Sequence, residues 1–142
     1  MLLVESASVL VVEDDTDLRE GVIALLESEG LTAIGASDGE EALHVLHDRF
    51  VPSVIVMDLS MPRMDGWRFR VQQTRDPRLA AIPVVIVSGH WNAAEAGRIL
   101  GAMAVVPKPP DVDKLLAAIE HACVRCETAS DSRPIGPPEE RR

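Results

Sequence analysis

The stretch Val54-Ile55-Val56-Met57-Asp58-Leu59-Ser60 decides the fold. Four apolar residues run without interruption into a carboxylate. Working outward, the same arrangement recurs three times. Val9-Leu10-Val11-Val12 ends in Glu13, Asp14 and Asp15. Ile82 to Val87 ends in Ser88, and Met103 to Val106 ends just before Lys108. An alternating pattern would mark strands with one wet face. Unbroken apolar runs mark strands covered on both faces, and such strands are parallel. If all four are parallel, their polar ends converge on one edge of one sheet.

Amphipathic segments lie between these runs. Leu18, Val22, Leu25 and Leu26 recur at helical spacing, and Gly30 provides a stop. Leu31 to Ala36 is a further strand. Ser37-Asp38-Gly39-Glu40 reads as a capping box before a helix that turns Ala42, Leu43 and Leu46 inward. Asp65 caps a helix running to about Arg75, where Asp76-Pro77 ends it. Asn92 caps an Ala-rich helix closed by Gly101. Asp111 caps a last helix with Val112, Leu115, Leu116 and Ile119 inward. Five βα units with right-handed crossovers predict an α/β fold with a doubly wound sheet.

Composition narrows the function. At 142 residues the chain is one domain by size. Aromatics make up 3% of it, so the core must be aliphatic. The net charge of −9 disfavours nucleic acid and anionic membranes as partners. No apolar stretch approaches the roughly 18 residues of a membrane span, and the N-terminus lacks the pattern of a signal peptide. These features predict a cytoplasmic protein. Cys123-Val124-Arg125-Cys126 is a lone pair late in a helix, read as one buried and one incidental cysteine. Residues 127–142 carry a single large apolar residue, Ile135, and are expected to form a disordered tail after a domain spanning 1–126. The arginines at 63, 68, 70, 75 and 78 read as a solvated face.

The strand ends carry the chemistry. In open α/β sheets ligands bind at the carboxyl ends of the strands, where the strand order reverses. Glu13, Asp14 and Asp58 would meet there. Three close carboxylates retain a proton or bind a cation, and Mg²⁺ suits one or two carboxylates plus water and phosphate oxygens. The Ser60 carbonyl is placed to complete the protein's share. A carboxylate beside Mg²⁺ is a nucleophile toward phosphorus. Lys108, one of only two lysines, would offset charge on a phosphoryl group, and Ser88 would donate a hydroxyl hydrogen bond to it.

These segments, with Asp65-Gly66 and Val105-Val106-Pro107-Lys108-Pro109, resemble the receiver domain of two-component response regulators over about residues 8–125. The resemblance implies a flavodoxin-like (βα)5 sheet in the order 2-1-3-4-5. It implies that Asp58 accepts a phosphoryl group from a histidine kinase or a histidine phosphotransfer protein. Asp14 would ligate Mg²⁺ directly, Glu13 through water and Ser60 through its backbone carbonyl. Ser88 would be the switch hydroxyl and Lys108 the phosphate-pairing cation. The Lys108-Pro109 bond is expected to be cis. Such a protein promotes chemistry on itself and is not a turnover enzyme. It is expected to act as a stand-alone, monomeric receiver that signals to a downstream protein by contact.

The chain departs from the family's habits at four places. Glu13 stands for the more usual Asp. Val105 stands where Tyr or Phe is frequent. Gly89 replaces a common Ala after Ser88, and Pro110 a common Phe. Trp91, beside His90, reads as a partly exposed loop residue, with a substitute for the missing aromatic surface as the sharper alternative.

Two other classes fit less well. A haloacid-dehalogenase-like phosphatase needs a second Asp at the position of Ser60. A nucleotide- or flavin-binding module needs a phosphate-binding loop where Glu13-Asp14-Asp15 would repel phosphate.

Overall fold

The continuous apolar runs do form a parallel sheet covered on both faces. In a computed structural model of the chain, strands β1 (Ser8–Val12), β2 (Thr32–Ala36), β3 (Val54–Met57), β4 (Val84–Ser88) and β5 (Ala104–Pro107) alternate with five helices. These are α1 (Thr16–Ser28), α2 (Gly39–His47), α3 (Gly66–Arg75), α4 (Ala93–Leu100) and α5 (Val112–Asp131). The strands pair in parallel in the order β2-β1-β3-β4-β5, as expected. The structure describes residues 7–48 and 50–131, with 124–131 as backbone alone.

Side chains of successive strand residues point to opposite faces, so each run divides between two cores. Val9, Val11, Val54, Val56, Val85 and Val87 meet α1 and α5 through Val22, Leu26, Leu115 and Ile119. Leu10, Val12, Ile55, Met57, Val84 and Ile86 meet α2, α3 and α4 through Ala42, Leu46, Phe69 and Ala96. Both faces are covered along β1, β3 and β4, which is why these strands show no alternation, whereas the edge strand β2 exposes Thr32 and Ile34. Fully burying one such side chain stabilises the fold by about 1.5–3 kcal/mol.

Local signals set most helix boundaries. Asp15 Oδ1 accepts from Leu18 N, and Asp65 Oδ1 accepts from Arg68 N. Asp111 Oδ1 accepts from Lys114 N. Gly101 closes α4 in the left-handed conformation, at φ 74°. Three details differ from expectation. The cap of α2 is Asp38 and not Ser37: Asp38 Oδ1 accepts from Glu41 N, and the Glu41 carboxylate reaches back to the amide and hydroxyl of Ser37. Asp38 also makes a second contact, described below. Asn92 precedes α4 but makes no side-chain capping bond. Val112 is exposed, whereas Leu115 and Ile119 are buried. The Lys108-Pro109 bond is cis, as the resemblance implied.

The five arginines are less uniform than a solvated face. Arg70 Nε donates to Leu100 O and its Nη1 to Gln73 Oε1. Arg78 Nη1 donates to Leu46 O, and Arg63 pairs with Asp38. Cys123 is buried in α5; the side chain of Cys126 lies outside the described residues. The α5 backbone reaches Asp131, beyond the boundary expected at Glu127, and residues 132–142 of the expected tail lie outside the described residues.

Two contacts make the fold sensitive to single changes. Gln73 is fully buried, and its Nε2 donates to both Leu79 O and Ile82 O at 3.0 Å, which ties down the connection to β4. Gln73→Leu leaves both carbonyls without that donor. The expected loss is about 2–4 kcal/mol, read as a fall in Tm on the order of 10 °C. Gly97 of α4 sits on Val105 of β5, whose Cγ2 lies 2.4 Å from where a Cβ would be. Gly97→Ala should destabilise by about 1–3 kcal/mol, and adding Val105→Ala should recover most of it in chemical denaturation.

Candidate functional site

Three strand ends and one strand exit build the site. Asp58 follows β3 directly, Glu13 follows β1, Ser88 ends β4, and Lys108 follows β5. Register makes them neighbours: Val12 pairs with Met57, Met57 with Ile86, and Ser88 with Pro107. Glu13 and Asp58 therefore sit at one level of the sheet, with Ser88 one residue and Lys108 two residues further along, all at the carboxyl edge.

Asp58 is buried, with 6% of its surface exposed. Its Oδ1 accepts from the amide of Leu59 at 2.7 Å and from that of Ser60 at 3.4 Å. Its Oδ2 accepts from Lys108 Nζ at 2.7 Å. The same ammonium lies 2.8 Å from Glu13 Oε1. Glu13 Oε2 accepts from the Asp15 amide at 3.0 Å. Asp14 completes the cluster from its exposed rim, and oxygens of Glu13, Asp14 and Asp58 all lie within 4.8 Å of one another.

The electrostatics follow from this geometry. Burial pushes the Glu13 carboxyl above its ordinary pKa; the Lys108 hydrogen bond and the Asp15 amide oppose that, and the Asp58 charge adds to it. For Lys108, burial disfavours the charge, but the hydrogen bonds to Asp58 and Glu13 outweigh it and hold the pKa above its ordinary value. Lys108 is therefore an ammonium throughout the neutral range. The stability it contributes is present below its ordinary pKa, and is lost only as pH rises through the raised value.

The donor set fits Mg²⁺. Three carboxylates and one ammonium leave a net charge of −2. One oxygen from each carboxylate lies within 4.8 Å of the others, close enough for a small cation between them. Hard oxygen donors with room for water on the exposed Asp14 side suit a cation that keeps part of its hydration shell.

Each residue singled out in the sequence lies at this edge. Ser88 is buried, and its Oγ accepts from the amide of His90 at 3.1 Å, so the β4–α4 loop is tied to the site hydroxyl. Ser60 is exposed and meets Asp58 through its amide. A cavity of about 440 Å³ opens beside it, lined by Met61, Asp65, Trp67, His90 and Asn92 among others. Trp91 is 90% exposed and stacks on His90.

Sequence reading missed three supporting contacts. Arg19 Nη1 donates to the Glu13 carbonyl at 2.7 Å, its stem packed over Gly35. Gly66 has no room for a side chain, because a Cβ there would lie 2.7 Å from the Asp58 carbonyl. Arg63 pairs with buried Asp38. Only Gly66 carried a signal, as part of the Asp65-Gly66 turn. The two arginine contacts join residues far apart on the chain or bond to backbone, and no spacing rule exposes them.

Comparisons with known proteins place the chain among its relatives. The chain is 35% identical over 118 residues to the transcriptional regulatory protein PdtaR of Mycobacterium tuberculosis, covering 82% of this chain and 57% of that protein. It is 30% identical over 133 residues to the response regulator Rre1 of Synechocystis, covering 92% and 57%. The chain thus spans a little over half the length of these relatives. Among solved structures, a response regulator receiver protein from Pseudomonas putida superposes with a TM-score of 0.75 at 33% identity, covering 82% of this chain and 97% of that one. NtrX from Brucella abortus superposes with a TM-score of 0.80 at 30% identity, over 90% of this chain and 30% of its own. The sequence pattern of the response regulator receiver domain matches residues 9–120, and the chain belongs to that family.

Proposed function

We propose that this protein is the phosphoacceptor of a two-component phosphorelay, with Asp58 as the accepting residue. The observation that supports it best is the environment of that carboxylate: buried at a strand end, held by two backbone amides on one oxygen and by Lys108 on the other, beside Glu13 and Asp14.

In this reading an Asp58 oxygen attacks the phosphorus of a phosphohistidine on a histidine kinase or histidine phosphotransfer protein. The new O–P bond forms as the P–N bond breaks, and the electron pair leaves with the donor imidazole, which takes up a proton. Asp14, Asp58 and the Ser60 carbonyl would hold Mg²⁺ directly, with Glu13 acting through water. Mg²⁺ there supplies charge neutralisation for the transferring group. Lys108 Nζ, already on Asp58 Oδ2, follows the charge to a phosphoryl oxygen. Ser88 Oγ turns its hydroxyl toward the same group, and the His90 amide bonded to it carries the motion into the β4–α4 loop and to exposed Trp91.

The added charge of roughly −1.5 to −2 biases two conformations of that loop and creates no new fold. Output is through contact with a downstream protein. The acidic surface supports neither nucleic acid nor an anionic membrane as the target, and among the described residues no helix is long and apolar enough to cross a membrane. The protein works as a cytoplasmic monomer that is modified at its own Asp58 and is not a turnover enzyme. Val105 in place of an aromatic makes the loop, and not a rotating ring, the readout element.

Incubation with acetyl phosphate and Mg²⁺ should give a phosphoryl adduct in intact-mass spectra, absent from Asp58→Asn and absent with EDTA. Persistence of the adduct in Asp58→Asn would move the acceptor elsewhere. Lys108→Met should bind Mg²⁺ more tightly than wild type in calorimetry, because the cluster loses the ammonium paired with Asp58 and Glu13. It should form the adduct on the order of 100-fold more slowly.

A further inference from the structure

We infer that Arg63 and Asp38, which lie on two different loops and touch none of the acidic cluster's carboxylates, are positioning residues of the cation site. The inference rests on the reading of that site given above. The segment between β3 and α3 carries Asp58 and Ser60 at its start. It contains one residue that is not glycine yet has a positive φ: Arg63, at 62°. The Met64 amide donates to the Pro62 carbonyl at 2.7 Å, closing a three-residue turn centred on Arg63. With the central residue at positive φ, such a turn is rare and strained for an L side chain. It persists only where its surroundings hold it.

Those surroundings come from the corner between β2 and α2. Asp38, only 1% exposed, pairs with the Arg63 guanidinium through Oδ2 while its Oδ1 caps α2. The next amide, of Gly39, donates to the Met64 carbonyl at 2.9 Å. Gly39 must lack a side chain there, since a Cβ would lie 2.8 Å from both Met64 Cγ and Met64 O. The same corner also holds the other half of the site, because the Ala36 carbonyl accepts from the Glu13 amide at 3.0 Å. One short segment, residues 36–39, therefore braces both the Glu13 side and the Asp58–Ser60 side of the acidic cluster. The ion pair is the part of that brace made by side chains. Nearly all of its charge burial falls on Asp38; Arg63 is reached from solvent.

The test compares Arg63→Ala with Arg63→Gly. Alanine removes the ion pair and keeps the strain at positive φ. Glycine removes the ion pair and the strain together. Removing a cation near an acidic site should by Coulomb's law alone tighten Mg²⁺ binding. The positioning role predicts the opposite: calorimetric Mg²⁺ affinity weaker on the order of 10-fold for Arg63→Ala and on the order of 2-fold for Arg63→Gly. Amide exchange of Gly39 and Gly66, measured without Mg²⁺, should accelerate in the same order. Binding by Arg63→Ala as tight as wild type, or equal weakening in both variants, overturns the inference. Wild-type protein that binds no Mg²⁺ overturns the reading of the site itself, and the exchange data then show separately whether the brace exists.

Discussion

The arrangement of this molecule depends on one ammonium between two buried carboxylates. Asp58 and Glu13 stand at the ends of adjacent strands and are both almost wholly removed from water. Without a cation between them, burial and mutual repulsion would favour protonation of one or separation of the strand ends. Lys108 reaches both, at 2.7 and 2.8 Å, from the far side of β4. Its reach across that strand, fixed by the exit of β5, allows a charge cluster to sit at the edge of an aliphatic sheet. Lys108 pairs with both carboxylates without neutralising the three-carboxylate cluster, whose hard oxygen donors keep the make-up of a divalent-cation site.

Around this centre the backbone is held by close approaches that only small residues allow. Gly66 lies against the Asp58 carbonyl, and Gly39 against Met64. The loop that carries Asp58 and Ser60 is therefore pinned at both ends: by the first turn of α3, where the Gly66 amide donates to Leu59 O, and by the first turn of α2. Arg19 fixes the neighbouring loop through the Glu13 carbonyl. A rigid frame on the β1 and β3 side matters because positioning a reactive group in advance lowers the cost of reaching the transition state.

The opposite side is looser. Helix α4 is short and lacks a side-chain cap at its start. It seats on β5 through the Gly97–Val105 contact and is tied to α3 by Arg70 at its end. The loop entering it is linked to Ser88 by one hydrogen bond and carries the exposed Trp91. The β1 and β3 side is thus braced by more contacts than the β4–α4 side, an asymmetry that suits the proposed switch, because a local charge change could move one element and leave the other in place.

Much of this was legible in the chain alone. Apolar runs with no alternation require a sheet buried on both faces, and the residue ending each run must then lie at the carboxyl edge. That reasoning located Asp58, Glu13, Asp14, Ser88 and Lys108 at that edge from spacing and side-chain type, and the capping acids located the starts of α3 and α5. Local signals failed where a long-range contact competed with them. The α2 cap is Asp38 where Ser37 was expected, and Asp38 also meets Arg63; three arginines of the expected solvated face bond to other parts of the chain as well, Arg63 and Arg78 while still exposed. Only the tertiary structure decided that Lys108 binds Glu13 as well as Asp58, and that Arg63 adopts a strained turn. Those outcomes depend on distances between strands and loops that are remote in sequence, and periodicity carries no information about them. Periodicity and side-chain chemistry determined what kind of edge the sheet would have; packing decided which groups on that edge touch.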